Sequence, residues 1–187
     1  VRRGSAAVYL PVWHPEIVEF IKLREPSGDY NRRALNLHHG VLLTDEFMQA
    51  VQDNRMFDLV SPKDNQKRGE VNARHLFQEI VETRLRTGEP YIVFIDTVNK
   101  TMPKHQIKLG LKVTTSNLCS EITLPTGIDH LGNTRSAVCC LTSLNLVKWD
   151  SWNSNDLFYE DVMRFLDNVL TDFILRAPEE MKQAIYS

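Results

Sequence analysis

Cysteine is scarce in this sequence, with three residues in 187. The count is odd and two of them, Cys139 and Cys140, are adjacent, which argues against a secreted disulfide framework. There is no pair of CxxC or CxxH spacings, so a structural zinc site is not expected. The six histidines are scattered. The only neighbouring pair, His38 and His39, would point to opposite faces of a strand, which suits metal ligation poorly. Long apolar runs are also missing. None approaches the roughly 18–20 residues that a membrane-spanning helix needs, and no charged-then-apolar signal segment opens the chain. No membrane role is expected, and a reducing cytoplasm is the expected compartment. Neither sign of charge dominates: 22 Lys and Arg stand against 24 Asp and Glu, a formal net charge of -2. That balance excludes the strongly basic footprint usual for broad nucleic-acid binding. Internal repeats and low-complexity segments are absent too.

What remains is ordinary globular composition, 42% hydrophobic and 25% charged, at a length that fits one domain or a piece of a larger one. The first residue is Val1, and the last residues stop without an end signal. Both features lead us to expect a segment of a longer protein. Residues 6–13 (AAVYLPVW) read as a strand broken by Pro11. Residues 16–24 carry Ile17, Phe20 and Ile21 near helical spacing, and Pro15 suits a first helical turn. Residues 26–29 read as a turn. Residues 35–43 (LNLHHGVLL) read as a strand. Thr44 is a good N-cap for a helix bearing Phe47, Met48 and Val51. A short apolar piece follows at 56–60, and 64–70 reads as a polar surface loop. Residues 73–87 form a helix in this reading, with Leu76, Phe77, Ile80, Val81 and Leu85 on one side and Gly88 as its stop. Residues 91–95 (YIVFI) read as a strand buried on both faces. Residues 97–111 give no clear signal. Residues 112–124 look extended, 127–133 read as a loop or hairpin turn, and 137–147 as another strand. Residues 157–175 give the strongest helical pattern, through Val162, Phe165, Leu166, Val169, Leu170 and Phe173. Strands separated by helices indicate an α/β fold.

Two stretches could carry chemistry. The first, residues 116–126, reads SNLCSEITLPT. If it is extended, Asn117, Cys119 and Glu121 share one face, about 6.6 Å apart at the usual rise per residue. An amide, a thiol and a carboxylate on one face could surround a small polar substrate. A buried, inert Cys119 with two loop polars remains the alternative. The second stretch, 137–146, reads AVCCLTSLNL. Only one of Cys139 and Cys140 could face a common site on a strand, and core packing remains open for both.

SNLCSEITLPT and AVCCLTSLNL resemble the finger loop and the redox-cysteine strand of class I ribonucleotide reductase large subunits. VRRGSAAVYLPVWHPEI, RRALNLHHGVLLTDEFM and GEPYIVFIDTVN resemble that family too, in the same order, so the likeness covers essentially the whole chain. Adenosylcobalamin-dependent relatives usually carry N-P-C-G-E, and Leu118 and Ser120 depart from it. The resemblance implies that residues 1–187 form the central part of a ten-stranded α/β barrel with a central finger loop. It implies reduction of ribonucleoside diphosphates to 2′-deoxyribonucleoside diphosphates, supplying DNA precursors. Cys119 matches the cysteine that becomes a thiyl radical and abstracts the 3′-hydrogen. Glu121 matches the carboxylate that accepts the 3′-hydroxyl proton, and Asn117 matches the amide that hydrogen-bonds the substrate hydroxyl. Cys139 matches one half of the redox dithiol, because the family cysteine lies six residues before the Asn matched by Asn145. Cys140 is then structural. Arg2 matches an arginine of the loop coupling the specificity effector to the substrate base.

No cofactor bound directly is implied. The radical would come from a small partner subunit with a dimetal centre, of iron or manganese. Thioredoxin or glutaredoxin would serve as reductant, ATP and deoxynucleotides as allosteric effectors, and a second large subunit as homodimer partner. The other half of the redox pair, the phosphate-gripping loop, the radical-relay tyrosines and the C-terminal cysteines would lie outside this chain, leaving the segment inactive alone. An adenosylcobalamin-type reductase and a non-catalytic scaffold are the competing expectations.

Overall fold

A computed structural model describes residues 3–179 and 181–182. The chain forms two compact units, Val1–Leu124 and Pro125–Ser187. In the first unit, β1 (Ala7–Pro11), β2 (His38–Leu43) and β5 (Tyr91–Phe94) make a parallel sheet in the order β1-β2-β5. Between them come α1 (Ile17–Phe20), α2 (Asp45–Gln52), the hairpin strands β3 (Met56–Val60) and β4 (Lys67–Asn72), and α3 (Ala73–Thr87). Parallel strands joined through helices establish the α/β class. Two short helices, α4 (Ile95–Lys100) and α5 (Lys104–Lys108), follow β5 in a stretch that carries no clear hydrophobic pattern.

The core lies where the hydrophobic pattern is densest. Val41 and Leu43 of β2, Phe47 and Ala50 of α2, Phe57 and Leu59 of β3, and Leu76 and Ile80 of α3 are all buried in one cluster with Val12, Ile17 and Ile21. Local signals set the helix ends. Thr44 Oγ1 accepts from Phe47 N at 3.2 Å, and Asn72 Oδ1 accepts from His75 N at 2.9 Å. Each satisfies one orphan donor of a first helical turn. Gly88, at φ 81°, ends α3 in the left-handed region, where other residues are strained.

Four local expectations are corrected. The helix expected over 16–24 is a single α-turn. Beyond it, Lys22 N and Leu23 N bond the carbonyls three residues back, and Pro26 supplies no donor to continue. Residues 67–72 form a strand rather than a loop. Lys67 and Glu70 face solvent, Lys67 Nζ bonds Asp58 Oδ1 across the hairpin at 2.7 Å, and Phe57 pairs with Val71. Polar residues suit a strand with one face in water. β5 is not buried on both faces. It is an edge strand among the described residues, with Val93 buried and Phe94 exposed; the doubly covered strand is β2. Leu85 is exposed while Thr83 is buried. At about 100° per residue, position 83 falls nearly over Leu76 and position 85 falls roughly opposite.

The second unit holds a two-residue hairpin ladder, β6 (Gly127–Ile128) with β7 (Thr134–Arg135), then α6 (Trp149–Trp152) and α7 (Phe158–Arg176). The hairpin turn closes on Asp129. Its carboxylate accepts from Leu131 N and Asn133 N, each at 2.9 Å. Those backbone donors, Asn133 foremost, hold its pKa below the usual carboxylate value, with Arg135 adding to the effect. The strand expected over 137–147 is not formed. In this unit β6–β7 is the only ladder among the described residues. The stretch runs without regular structure to a 3₁₀ turn, Leu146–Lys148, capped by Asn145. α7 matches the expected helix, though Phe165 and Phe173 on its apolar stripe are exposed.

Candidate active site

Among the described residues, the stretch leading to Cys119 has no strand neighbour to hold it. Side-chain amide bonds take that role. Asn99, on α4, accepts from Val113 N and donates to Val113 O, both at 2.9 Å. This is the pair of bonds a neighbouring strand would supply. Its Nδ2 also reaches Ile95 O at 2.9 Å, and Val113 is buried beneath.

From Ser116 the chain turns instead of extending, which corrects the period-2 picture of residues 117–121. Asn117 Oδ1 accepts from Cys119 N at 2.8 Å. This Asx turn puts the side chain over its own backbone two residues on. Ile122 N donates to Cys119 O at 2.8 Å. Ser116 Oγ lies 2.6 Å from Ile122 O and 3.2 Å from both Cys119 O and Ser120 O. One hydroxyl proton is therefore shared among three carbonyls at the neck of the loop, with Ile122 O nearest. Asn117, Cys119 and Glu121 do belong to one small loop, but turn hydrogen bonds gather them, not the alternation of a pleated strand.

The thiol of Cys119 is free and half-buried. Asn117 and Glu121 are exposed beside it. The backbone donor fixes which end of the Asn117 amide faces the loop: Cys119 N needs an acceptor, so Oδ1 points inward and Nδ2 is left with no partner among the described residues. A thiol, a carboxylate and an unspent amide donor within five residues can bind a vicinal hydroxyl pair, exchange a proton with it and present a sulfur to the adjacent carbon.

Tyr9 and Asn99 were missed by the sequence reading. Tyr9 is on β1, and its hydroxyl donates to Asn117 O at 2.6 Å across 108 residues of sequence. Burial pushes its pKa up. The Ser116 hydroxyl offsets part of that, while the charges of Tyr91, Glu89 and Glu121 add to it. No local pattern could have revealed Tyr9, whereas the unassigned polar Asn99 between apolar neighbours was a weak hint.

The redox candidates lie in the second unit. Cys139 is exposed and Cys140 half-buried, both as free thiols. Arg2 lies outside the described residues. Among the described residues no group of three His, Cys, Asp or Glu is placed to hold a metal ion.

Comparison with known proteins identifies the family. The family described as "Ribonucleotide reductase, barrel domain" matches residues 1–184. The putative ribonucleoside-diphosphate reductase large subunit of Frog virus 3 (isolate Goorha) is 49% identical over 178 residues, covering 95% of this chain and 30% of that protein. The ribonucleoside-diphosphate reductase large subunit of Invertebrate iridescent virus 3 is 38% identical over 240 residues, covering 100% of this chain and 37% of that protein. The chain thus spans about a third of the length of these relatives. Among solved structures, the Actinobacillus ureae class Id ribonucleotide reductase alpha subunit has a TM-score of 0.70 at 24% identity, over 96% of this chain and 30% of that one, a likeness of fold. The chain belongs to the ribonucleotide reductase barrel-domain family.

Proposed function

We propose that residues 1–187 are the central part of the ten-stranded barrel of a class I ribonucleotide reductase large subunit, and that the 116–122 loop is its finger loop. The whole protein would reduce ribonucleoside diphosphates to 2′-deoxyribonucleoside diphosphates. The observation that carries this reading is the Asn117–Cys119–Glu121 loop, within a chain that the barrel-domain family matches over residues 1–184.

In this reading the Cys119 thiyl takes the 3′-hydrogen atom and becomes a thiol. Glu121 accepts the 3′-hydroxyl proton, a general-base contribution of roughly 10²–10⁴-fold. Asn117 Nδ2 donates to a substrate hydroxyl. The 2′-hydroxyl leaves as water with a proton from a dithiol that includes Cys139. That dithiol supplies two electrons and two protons in all and becomes a disulfide. The second proton ends as hydrogen on C2′, while Glu121 returns its proton to the 3′-oxygen. The hydrogen then returns from Cys119 to C3′, restoring the radical. The second sulfur of the dithiol is expected on a cysteine outside this chain. Exchange with thioredoxin or glutaredoxin would restore the dithiol. The radical would be delivered by a small subunit with an iron or manganese dimetal centre. ATP and deoxynucleotides would act as effectors, Arg2 would couple effector to substrate base, and two large subunits would pair.

The test is Cys119→Ser in the full-length protein, assayed with its small subunit, substrate and effector. Deoxynucleotide formation is expected to vanish while nucleotide binding persists, because a serine O–H bond is too strong to yield the radical. Turnover by Cys119→Ser, or none by the wild type, would overturn the reading.

A further inference from the structure

The parallel register places Tyr9, Gly40 and Tyr91 in one row across the sheet. Gly40 sits between two tyrosines. A Cβ built there would lie 2.5 and 2.6 Å from Tyr9 ring carbons and 3.2 Å from Tyr91 Cβ. The first two separations are closer than carbon atoms tolerate, so the Tyr9 ring lies where any side chain on the central strand would be. From that position its hydroxyl reaches Asn117 O at 2.6 Å. Asn117 is the residue whose side chain shapes the turn at Cys119.

We infer that Tyr9 is a positioning residue for the Cys119 loop, and that Gly40 is the vacancy in the central strand that lets it reach there. The inference rests on the proposed reductase chemistry for its consequence, but on geometry alone for the contact. Three bonds run in series: Tyr9 Oη to Asn117 O, Asn117 Oδ1 to Cys119 N, and Ile122 N to Cys119 O. Only the first ties the loop to the rigid sheet. The other two hold the loop's shape and cannot fix its place. A phenol is protonated at neutral pH, and burial pushes this one's pKa further up, so the hydroxyl is a donor there. Hydrogen-atom transfer depends steeply on the approach of sulfur to carbon, and a misplacement of about 1 Å can cost on the order of a hundredfold in rate.

The test uses the full-length protein with its small subunit, and Tyr9→Phe, which keeps the ring and removes only the hydroxyl. One lost hydrogen bond should lower kcat by about two- to tenfold, with KM for the nucleotide unchanged because the Tyr9 hydroxyl is engaged by Asn117 O. In the same protein without substrate, amide exchange at Cys119 and Ile122 should quicken by a similar factor, with the thermal midpoint unmoved. Gly40→Ala should displace the ring and give the same fall in kcat and quickened exchange, with a lower thermal midpoint from overpacking. Tyr9→Phe combined with Gly40→Ala should be less than multiplicative in kcat. Unchanged exchange in Tyr9→Phe would overturn the inference, as would quickened exchange with full kcat. A wild type that forms no deoxynucleotide would sink the reductase reading instead. The exchange measurement would still decide whether Tyr9 holds the loop.

Discussion

Asn117 offers two functions that one substitution can separate. Its Oδ1 is used by the loop, accepting from Cys119 N at 2.8 Å, while Nδ2 has no partner among the described residues. Asn117→Asp keeps an acceptor in the Oδ1 position, so the turn at Cys119 should survive. It removes the amide donor that would hold a substrate hydroxyl. Asn117→Ala removes both. Each neutral hydrogen bond contributes about 0.5–1.5 kcal/mol net. The Asp variant should therefore lose about two- to tenfold in kcat/KM for the donor, plus a penalty from a second carboxylate close to Glu121. The Ala variant loses both bonds, for about 1–3 kcal/mol together, or roughly five- to 150-fold. Amide exchange at Cys119 tells the two apart, because only Asn117→Ala should quicken it. The assay is steady-state deoxynucleotide formation by full-length protein with its small subunit, alongside exchange on the free protein. Wild-type activity in Asn117→Asp would show that Nδ2 is not used by the substrate. Quickened exchange in Asn117→Asp would show that the Asx turn needs more than an acceptor.

Two further predictions concern the other cysteines and the buried histidine. In the full-length enzyme, Cys139→Ser should stop deoxynucleotide formation while leaving substrate binding and the first hydrogen abstraction possible, and Cys140→Ser should keep most activity. The reverse pattern, read from product formed per enzyme with and without external reductant, would exchange their roles. His39 is fully buried, its ring edge-on to Phe20 at 5.1 Å, and neither ring nitrogen has a hydrogen-bond partner among the described residues. Burial lowers its pKa. Glu89 and the nearby Ile21 and Leu37 carbonyls, none in bonding geometry, oppose that weakly, and Arg24 adds to the lowering. The unfolded chain therefore takes up a proton first as pH falls through about 6.5, and the folded state loses stability from there downward. His39→Phe should be neutral or stabilising by about 1 kcal/mol at neutral pH, with the advantage growing between about pH 7 and about pH 5.5. Urea midpoints of both proteins at the two pH values check this, and parallel pH dependence would refute it.

Much of the fold was legible because local chemistry fixed it. Thr44 as N-cap, Gly88 as helix stop and the buried positions of 38–43 follow from hydrogen-bond supply, backbone freedom and hydrophobic pattern within a few residues. The errors fall where the deciding partner is distant or absent. Residues 67–72 are polar and look like a loop, yet they pair because β3 lies alongside. Residues 137–147 are apolar and look like a strand, yet no neighbour pairs with them among the described residues. A ladder needs two strands, and hydrophobicity alone does not supply the second.

The site divides along the same line. Residue types and spacing single out 116–126 as able to carry chemistry, and Asn117, Cys119 and Glu121 lie on one loop closed by turn hydrogen bonds. Turn hydrogen bonds, not a shared face of an extended strand, set their proximity. A strand would have directed all three side chains one way but left the Asn117 amide wholly free. The turn engages its oxygen to shape the backbone at Cys119 and leaves only its nitrogen to a ligand. The motif thus contains its own scaffold, which is why a short sequence could signal it. What the motif does not contain is its anchor. Tyr9 bonds the loop from β1, Asn99 holds Val113 just before it from α4, and Tyr9 reaches the loop only because the parallel register sets Gly40 opposite. Register is a property of paired strands, so the residues that place the thiol become visible only when the sheet is assembled.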